Sequence, residues 1–216
     1  MAAAALTAPL PAMSATPAEP ALLKRAIPRS GELLPVIGLG TYVVLDVAAN
    51  APEMAELREV MRGFVAGGAR LVDSSPMYGG AEARTGDLST ALNIRDQLFL
   101  ATKVWTSGRD AGIAQMRDSF RLMQTKVIDL MQVHNLLDTA THMKTMREWK
   151  AAGTLRYLGI THYHAGAYAD LEKLLKTRDY DFVQFNYSLV EREAEKQRLE
   201  KLKPRQGQIG QAQDDR

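Results

Sequence analysis

From residue 22 onward, short apolar runs alternate with longer segments in which apolar positions recur every three to four residues. Short runs bounded by turn residues predict strands, and the longer spacing predicts helices with one buried face. Residues 22–28 and 32–38 flank a polar turn at Arg29, Ser30 and Gly31, which predicts a β-hairpin. Strand-like runs follow at 39–42, 69–75, 97–104, 127–134, 155–161 and 180–186. After Pro52, the positions Met54, Leu57, Val60, Met61, Phe64 and Val65 form one helical face, which Gly67 and Gly68 end. A weak helix is expected over 81–92. Further stripes are Ile113, Met116, Phe120 and Met123, then Ala140, Met143, Met146 and Trp149, stopped by Gly153. Tyr168, Leu171, Leu174 and Leu175 line the next helix, and a charged helix is expected over 190–202.

Apolar strands alternating with amphipathic helices predict a parallel α/β sheet whose strands are buried on both faces. The methionine and aromatic stripes read as core. The first turns carry neither GxGxxG nor GxxxxGK[ST], which removes the main support for dinucleotide-fold and P-loop classes. Residues 1–21 are rich in Ala and Pro, without charge before Glu19. They read as a disordered tail or the remnant of an export signal. The regular pattern spans 22–202, and 203–216 read as a second tail.

The 216 residues suit one domain. Lys and Arg number 27 against 25 Asp and Glu, a scattered net charge of +2. That gives no footprint for nucleic acid or an anionic membrane. With no cysteine, disulfides, thiolate metal sites and a cysteine nucleophile are excluded. No run of about 18 apolar residues predicts a transmembrane helix. The expected location is the cytoplasm, with the periplasm as alternative if residues 1–21 are a signal remnant.

In a parallel sheet of this kind, functional groups gather at the C-terminal ends of strands. Asp73, Lys103 and His134 fall at such ends, and Tyr78 lies in the loop after Asp73. Each alone has a plain structural explanation: a cap, a solvated cation, a satisfied core histidine. Together they suit carbonyl reduction. Tyr78 would donate a proton, and the Lys103 ammonium would lower its pKa. Asp73 would hold Lys103, and neutral His134 would donate a hydrogen bond to the substrate oxygen. His142, His162 and His164 have no carboxylate or thiolate partner at ligand spacing, so no metal site is expected.

The segments GLGTY (38–42), LVDSSPMYG (71–79), LFLATKVW (98–105), IDLMQVHN (128–135), LRYLGITHYH (155–164) and DFVQFNYS (181–188) occur in one order and spacing. Together they resemble the aldo-keto reductase family over residues 22–195. The resemblance implies a TIM (β/α)8-type barrel whose base is plugged by the N-terminal hairpin. It implies NADPH-dependent reduction of a small-molecule carbonyl, with NADH as the alternative cofactor. It places Asp73, Tyr78, Lys103 and His134 in the catalytic tetrad. It places Gly40, Thr41, Asp73, Thr161, His162 and Gln184 around the cofactor. His162 stands where the family usually has asparagine. Tyr42, Trp105 and His134 would line the substrate pocket. An eight-unit barrel takes about 250 residues, whereas six units end near Leu202. The expectation is therefore a barrel truncated to about six β/α units. Its open edges would invite self-association. The competing readings are a non-catalytic fragment or binding module, and a lyase or isomerase that works without nicotinamide.

Overall fold

The computed structural model describes residues 21–177 and 179–196. A two-stranded antiparallel hairpin, β1 (Lys24–Ala26) and β2 (Leu33–Pro35), precedes a six-stranded parallel sheet. That sheet runs β3 (Gly38–Gly40), β4 (Leu71–Asp73), β5 (Phe99–Val104), β6 (Ile128–His134), β7 (Leu155–His162) and β8 (Phe182–Phe185), in sequence order. The connecting helices are α1 (Met54–Ala66), α2 (Ala81–Ala91), α3 (Arg109–Leu122), α4 (Thr139–Ala151) and α5 (Tyr168–Leu175). A short α6 (Glu193–Lys196) follows β8.

The sheet curls strongly. Phe99 on β5 and Phe182 on β8 are three strand positions apart, about 14 Å in a flat sheet. Their rings are 6.1 Å apart. These rings, with Tyr157, Leu130, Ile27 and Leu34, fill the base of the curl. Ile27 and Leu34 come from the hairpin, which therefore plugs one end of an open half-barrel. Polar contacts pin the plug. Tyr157 Oη donates to Glu32 Oε2 at 2.7 Å and meets Ser30 Oγ at 2.8 Å, while Arg156 bridges Glu32 and Asp129. Among the described residues, β3 and β8 are the sheet edges.

Two further cores lie outside the sheet. Met116, Met143, Met146, Leu171 and the outward faces of β5 to β7 form one, and Leu57, Met61, Leu88 and β4 form the other. The stripes read from the sequence mostly point inward. Two positions face outward: Ala140 in the first turn of α4, and Val60 at 44% exposure, because the sheet-facing arc of α1 centres on Leu57 and Met61. The first barrel strand is shorter than expected, since the chain turns at Thr41. Residues 95–97 form a short 3-10 turn rather than the start of β5. Of the charged helix expected over 190–202, residues 193–196 are helical, 190–192 are not, and 197–202 lie outside the described residues, as do most of 1–21 and all of 203–216.

Phe99 is fully buried and contacts rings on β7 and β8. Replacing it with alanine opens a void under the site. We expect Phe99→Ala to cost about 3–5 kcal/mol, read as a lower midpoint in urea unfolding.

Candidate active site

All six strands run parallel, so their C-terminal ends share one face. Register sets the heights. Lys103, Gln132, Gly159 and Phe182 form one row, and His134, Thr161 and Gln184 form another row two residues further out. The curl then does what a flat sheet could not. Asp73 on β4 and Gln184 on β8 are four strand positions apart, about 19 Å when flat, yet Gln184 Nε2 donates to Asp73 Oδ2 at 3.2 Å.

Lys103 is 1% exposed, which excludes a solvated role for its charge. Its ammonium donates to Asp73 Oδ2 at 2.8 Å and to the Ser74 carbonyl at 2.7 Å. It also lies 4.9 Å from the centre of the Tyr78 ring. The Tyr78 ring stands edge-on to His134, centroids 6.2 Å apart. His134 Nδ1 meets Ser75 Oγ at 3.0 Å. The four residues predicted from strand ends therefore converge.

The loop that carries Tyr78 is set by a close approach. Gly79 has φ +55°, and a Cβ there would fall 2.1 Å from Asp46 Oδ1. Asp46 accepts the Gly80 N–H at 2.8 Å and so anchors the start of α2. Opposite Tyr78, the Tyr42 ring lies 5.0 Å away, centre to centre. Its neighbour Val43 has φ +66°, and the Val44 N–H closes onto the Tyr42 carbonyl at 2.7 Å. A β-branched residue in this left-handed region is strained.

The remaining predicted residues occupy the same face with different contacts. Thr41 Oγ1 has two acceptors in reach of its one hydroxyl hydrogen, the Asp73 carbonyl at 3.1 Å and Ser74 Oγ at 2.9 Å. A Cβ on Gly40 would meet nothing within 4 Å, which leaves open space beside β3. Thr161 is buried between His134 and Gln184. His162 Nδ1 accepts the His164 N–H at 3.0 Å, so only its Nε2 is free for another partner. Trp105 is 41% exposed, and Gln115 on α3 brackets its backbone N–H and carbonyl. His142 is buried away from His162 and His164, on the Thr106 carbonyl.

Two residues of this site were not singled out from the sequence. Gln132 is buried inside the curl and donates to Asp73 Oδ1 and Gln184 Oε1 at 3.4 and 3.2 Å. The polar interruption in the apolar run of β6 was its only signal. Ser75 sits two residues beyond Asp73, and nothing local predicts its contact with His134. At the opposite end, a groove of about 530 Å³ lies between the hairpin and β8, lined by Leu23, Ile27, Leu34, Leu71, Leu175 and Phe182. It holds none of the predicted site residues.

The electrostatics correct one expectation. Lys103 was expected to lower the Tyr78 pKa. Instead, burial and the Asp73 carboxylate push the phenol up to about 12. Asp73 balances Lys103, so the net field at Tyr78 gives little help to a phenolate. Burial also lowers Lys103, against the attraction of Asp73. His134 is held down at about 4 by burial, with the charges of Lys103 and His162 adding to it. At neutral pH the imidazole is uncharged and the phenol keeps its proton.

The chemistry of this face suits the amide end of a nicotinamide cofactor. Gln184 offers an amide with donor and acceptor, Thr161 a hydroxyl, and β3 open space for a ring. His162 offers one nitrogen where an asparagine would offer two functions.

A half-barrel of parallel strands with a Lys–Asp pair, a tyrosine and a neutral histidine at its C-terminal face defines the class to which the comparisons also point. The Aldo/keto reductase family model matches residues 36–207, and the chain belongs to that family. It is 31% identical to methylglyoxal reductase YeaE of Escherichia coli (strain K12) over 159 residues, 70% of this chain and 53% of that protein. It is 26% identical to aldo-keto reductase YhdN of Bacillus subtilis (strain 168) over 174 residues, 74% of this chain and 52% of that protein. The chain thus spans about half the length of these curated relatives. An aldo/keto reductase from Klebsiella pneumoniae, solved in complex with NADP and acetate, superposes with a TM-score of 0.65 at 24% identity, over 79% of this chain and 60% of that one. At that identity the superposition shows the fold alone.

His134 links the site to pH. The unfolded chain protonates this histidine near its ordinary value of 6.5, but the folded chain resists until about 4. The unfolded state therefore binds more protons between these values. The contribution is present above pH 6.5 and is lost as pH falls toward 4. We expect the urea midpoint to fall over this window, and His134→Gln to remove roughly 1–3 kcal/mol of that fall.

Proposed function

We propose that this chain carries the acid and oxygen-binding part of a carbonyl reductase that uses NADPH, with NADH as the weaker alternative. The observation that carries this reading is the Lys103 ammonium, paired with Asp73 at 2.8 Å and packed 4.9 Å from the Tyr78 ring centre, beside a neutral His134. In this reading His134 donates a hydrogen bond to the carbonyl oxygen and orients it. Tyr78 then delivers its proton as negative charge develops on that oxygen. A pKa near 12 keeps the proton on Tyr78 throughout the physiological range. An alkoxide is more basic than a phenolate, so the transfer still runs downhill. Lys103 stabilises the phenolate left behind, and Asp73 keeps the ammonium in place.

A bound nicotinamide would supply the hydride. Gln184 and Thr161 would hold its carboxamide, Gly40 and Thr41 would flank it, and His162 would offer one hydrogen bond through Nε2. Asp73 would close the inner wall. Tyr42 and Trp105 would form an aromatic rim for a small carbonyl compound. The supporting family members include methylglyoxal reductases and an NADP-dependent sorbitol-6-phosphate dehydrogenase. The domain reading is a single reductase domain over 22–202. A second reading, a fold-retaining module without turnover, is favoured by the Gln184 amide, which is already engaged by Gln132 and Asp73.

Titration of the purified chain with NADPH, followed by tryptophan fluorescence, separates the two. Trp149 packs against Phe120 on the outer layer, so Trp105 is the expected reporter. Saturable quenching that disappears in Trp105→Phe supports the reductase reading, and no saturable change in folded protein supports the module. Where turnover is found, Tyr78→Phe is expected to lower carbonyl reduction by about 10²-fold or more with NADPH affinity nearly unchanged. Equal activity would exclude Tyr78 as the acid.

A further inference from the structure

Ser75 is fully buried in the turn between β4 and α2. Among the described residues its hydroxyl meets two partners. The Met77 N–H donates to Oγ at 3.3 Å, and Oγ lies 3.0 Å from His134 Nδ1. The Met77 bond uses one lone pair and leaves the hydroxyl hydrogen to place. If Nδ1 carried a proton and also donated to Oγ, that hydrogen would be buried with no acceptor. Such an orphan costs about 1–3 kcal/mol. If Oγ donates to a bare Nδ1, every group in the chain of bonds is satisfied.

We infer that Ser75 is a positioning residue that fixes His134 as the Nε2–H tautomer, so that the only proton on the imidazole lies on the nitrogen away from β4. The charged and titratable groups facing His134 are Lys103, His162 and Tyr78. Lys103 and His162 disfavour a second proton but do not choose between the two neutral tautomers. Ser75 makes that choice. Leu137 and the left-handed residues Asn135 and Leu136 turn the chain directly after His134, with the Leu137 N–H on the His134 carbonyl at 3.2 Å. The ring is therefore held at its backbone as well as at Nδ1. The catalytic consequence rests on the reductase reading: a substrate oxygen needs a donor, and a bare Nε2 would repel it.

The test reads the tautomer directly and needs no turnover. Protein labelled with ¹⁵N-histidine is examined by long-range ¹H–¹⁵N correlation at pH 7, with His134 assigned through His134→Gln. The expected wild-type pattern is Nε2–H. Ser75→Ala is expected to raise the Nδ1–H population several-fold, and Ser75→Thr, which keeps a hydroxyl, is expected to restore Nε2–H. A wild-type Nδ1–H pattern, or an unchanged tautomer in folded Ser75→Ala, overturns the assignment. If Ser75→Ala does not fold, the wild-type pattern and Ser75→Thr still decide it. Where the wild type turns over, Ser75→Ala should lower kcat roughly tenfold with cofactor affinity unchanged. An inactive wild type with the expected tautomer would count against the reductase reading and leave the Ser75 assignment standing.

Discussion

The ammonium of Lys103 governs the arrangement of the site. A cation this deeply buried is tolerated only when paired and hydrogen-bonded. Asp73 supplies the counter-charge and the Ser74 carbonyl a second acceptor. Asp73 in turn must be satisfied, and its two oxygens accept from Gln132 and Gln184. One buried charge thus recruits side chains from β4, β5, β6 and β8. The recruitment works only because the sheet curls, and it curls around the aromatic base formed by Phe99, Tyr157 and Phe182. The hairpin seals that base. Apolar packing below and a polar network above are therefore two parts of one construction.

The same pairing explains why Tyr78 is not a strong acid at rest. An unpaired ammonium beside a phenol would favour the phenolate. Here Asp73 cancels much of that field, and burial penalises the remaining charge, so the phenol holds its proton to about pH 12. A proton donor that must still be protonated when a carbonyl arrives gains from this. In the proposed reductase reading, what would matter for transfer is the charge pattern as the proton leaves, when Lys103 would face a new anion it did not face before. His134 complements it from the other side. It stays neutral down to about pH 4 and can donate a hydrogen bond without adding a second cation beside Lys103.

Much of the fold was legible because it rests on local pattern. β5 and β6 are buried along their whole length, and their apolar runs stand out in the sequence. β3 and β8 are short and only partly buried, so periodicity located them but overran their ends. Asp73, Lys103 and His134 were found because charged or polar groups ending apolar strands are conspicuous. Ser75 and Gln132 were not, since their roles depend on partners 59 residues away in the chain. The sign of the Tyr78 shift was missed for the same reason. The sequence names the neighbouring cation, but burial and the balancing carboxylate exist only in three dimensions.

Gln184 carries the tension between the resting site and any ligand-bound one. Its amide now bridges Asp73 and Gln132 across the mouth of the curl. A Gln184 that turns outward to hold a carboxamide must give up one or both bonds. Asp73 would still keep Lys103 and Gln132, so the buried cation would not lose its counter-charge. Gln132 would lose an acceptor, adding to a carbonyl that already has no partner among the described residues. In the proposed reading, binding at this face would therefore be offset by the network it disturbs, with the lost acceptor falling on Gln132. The pairing that makes the site possible also sets how easily it can be occupied.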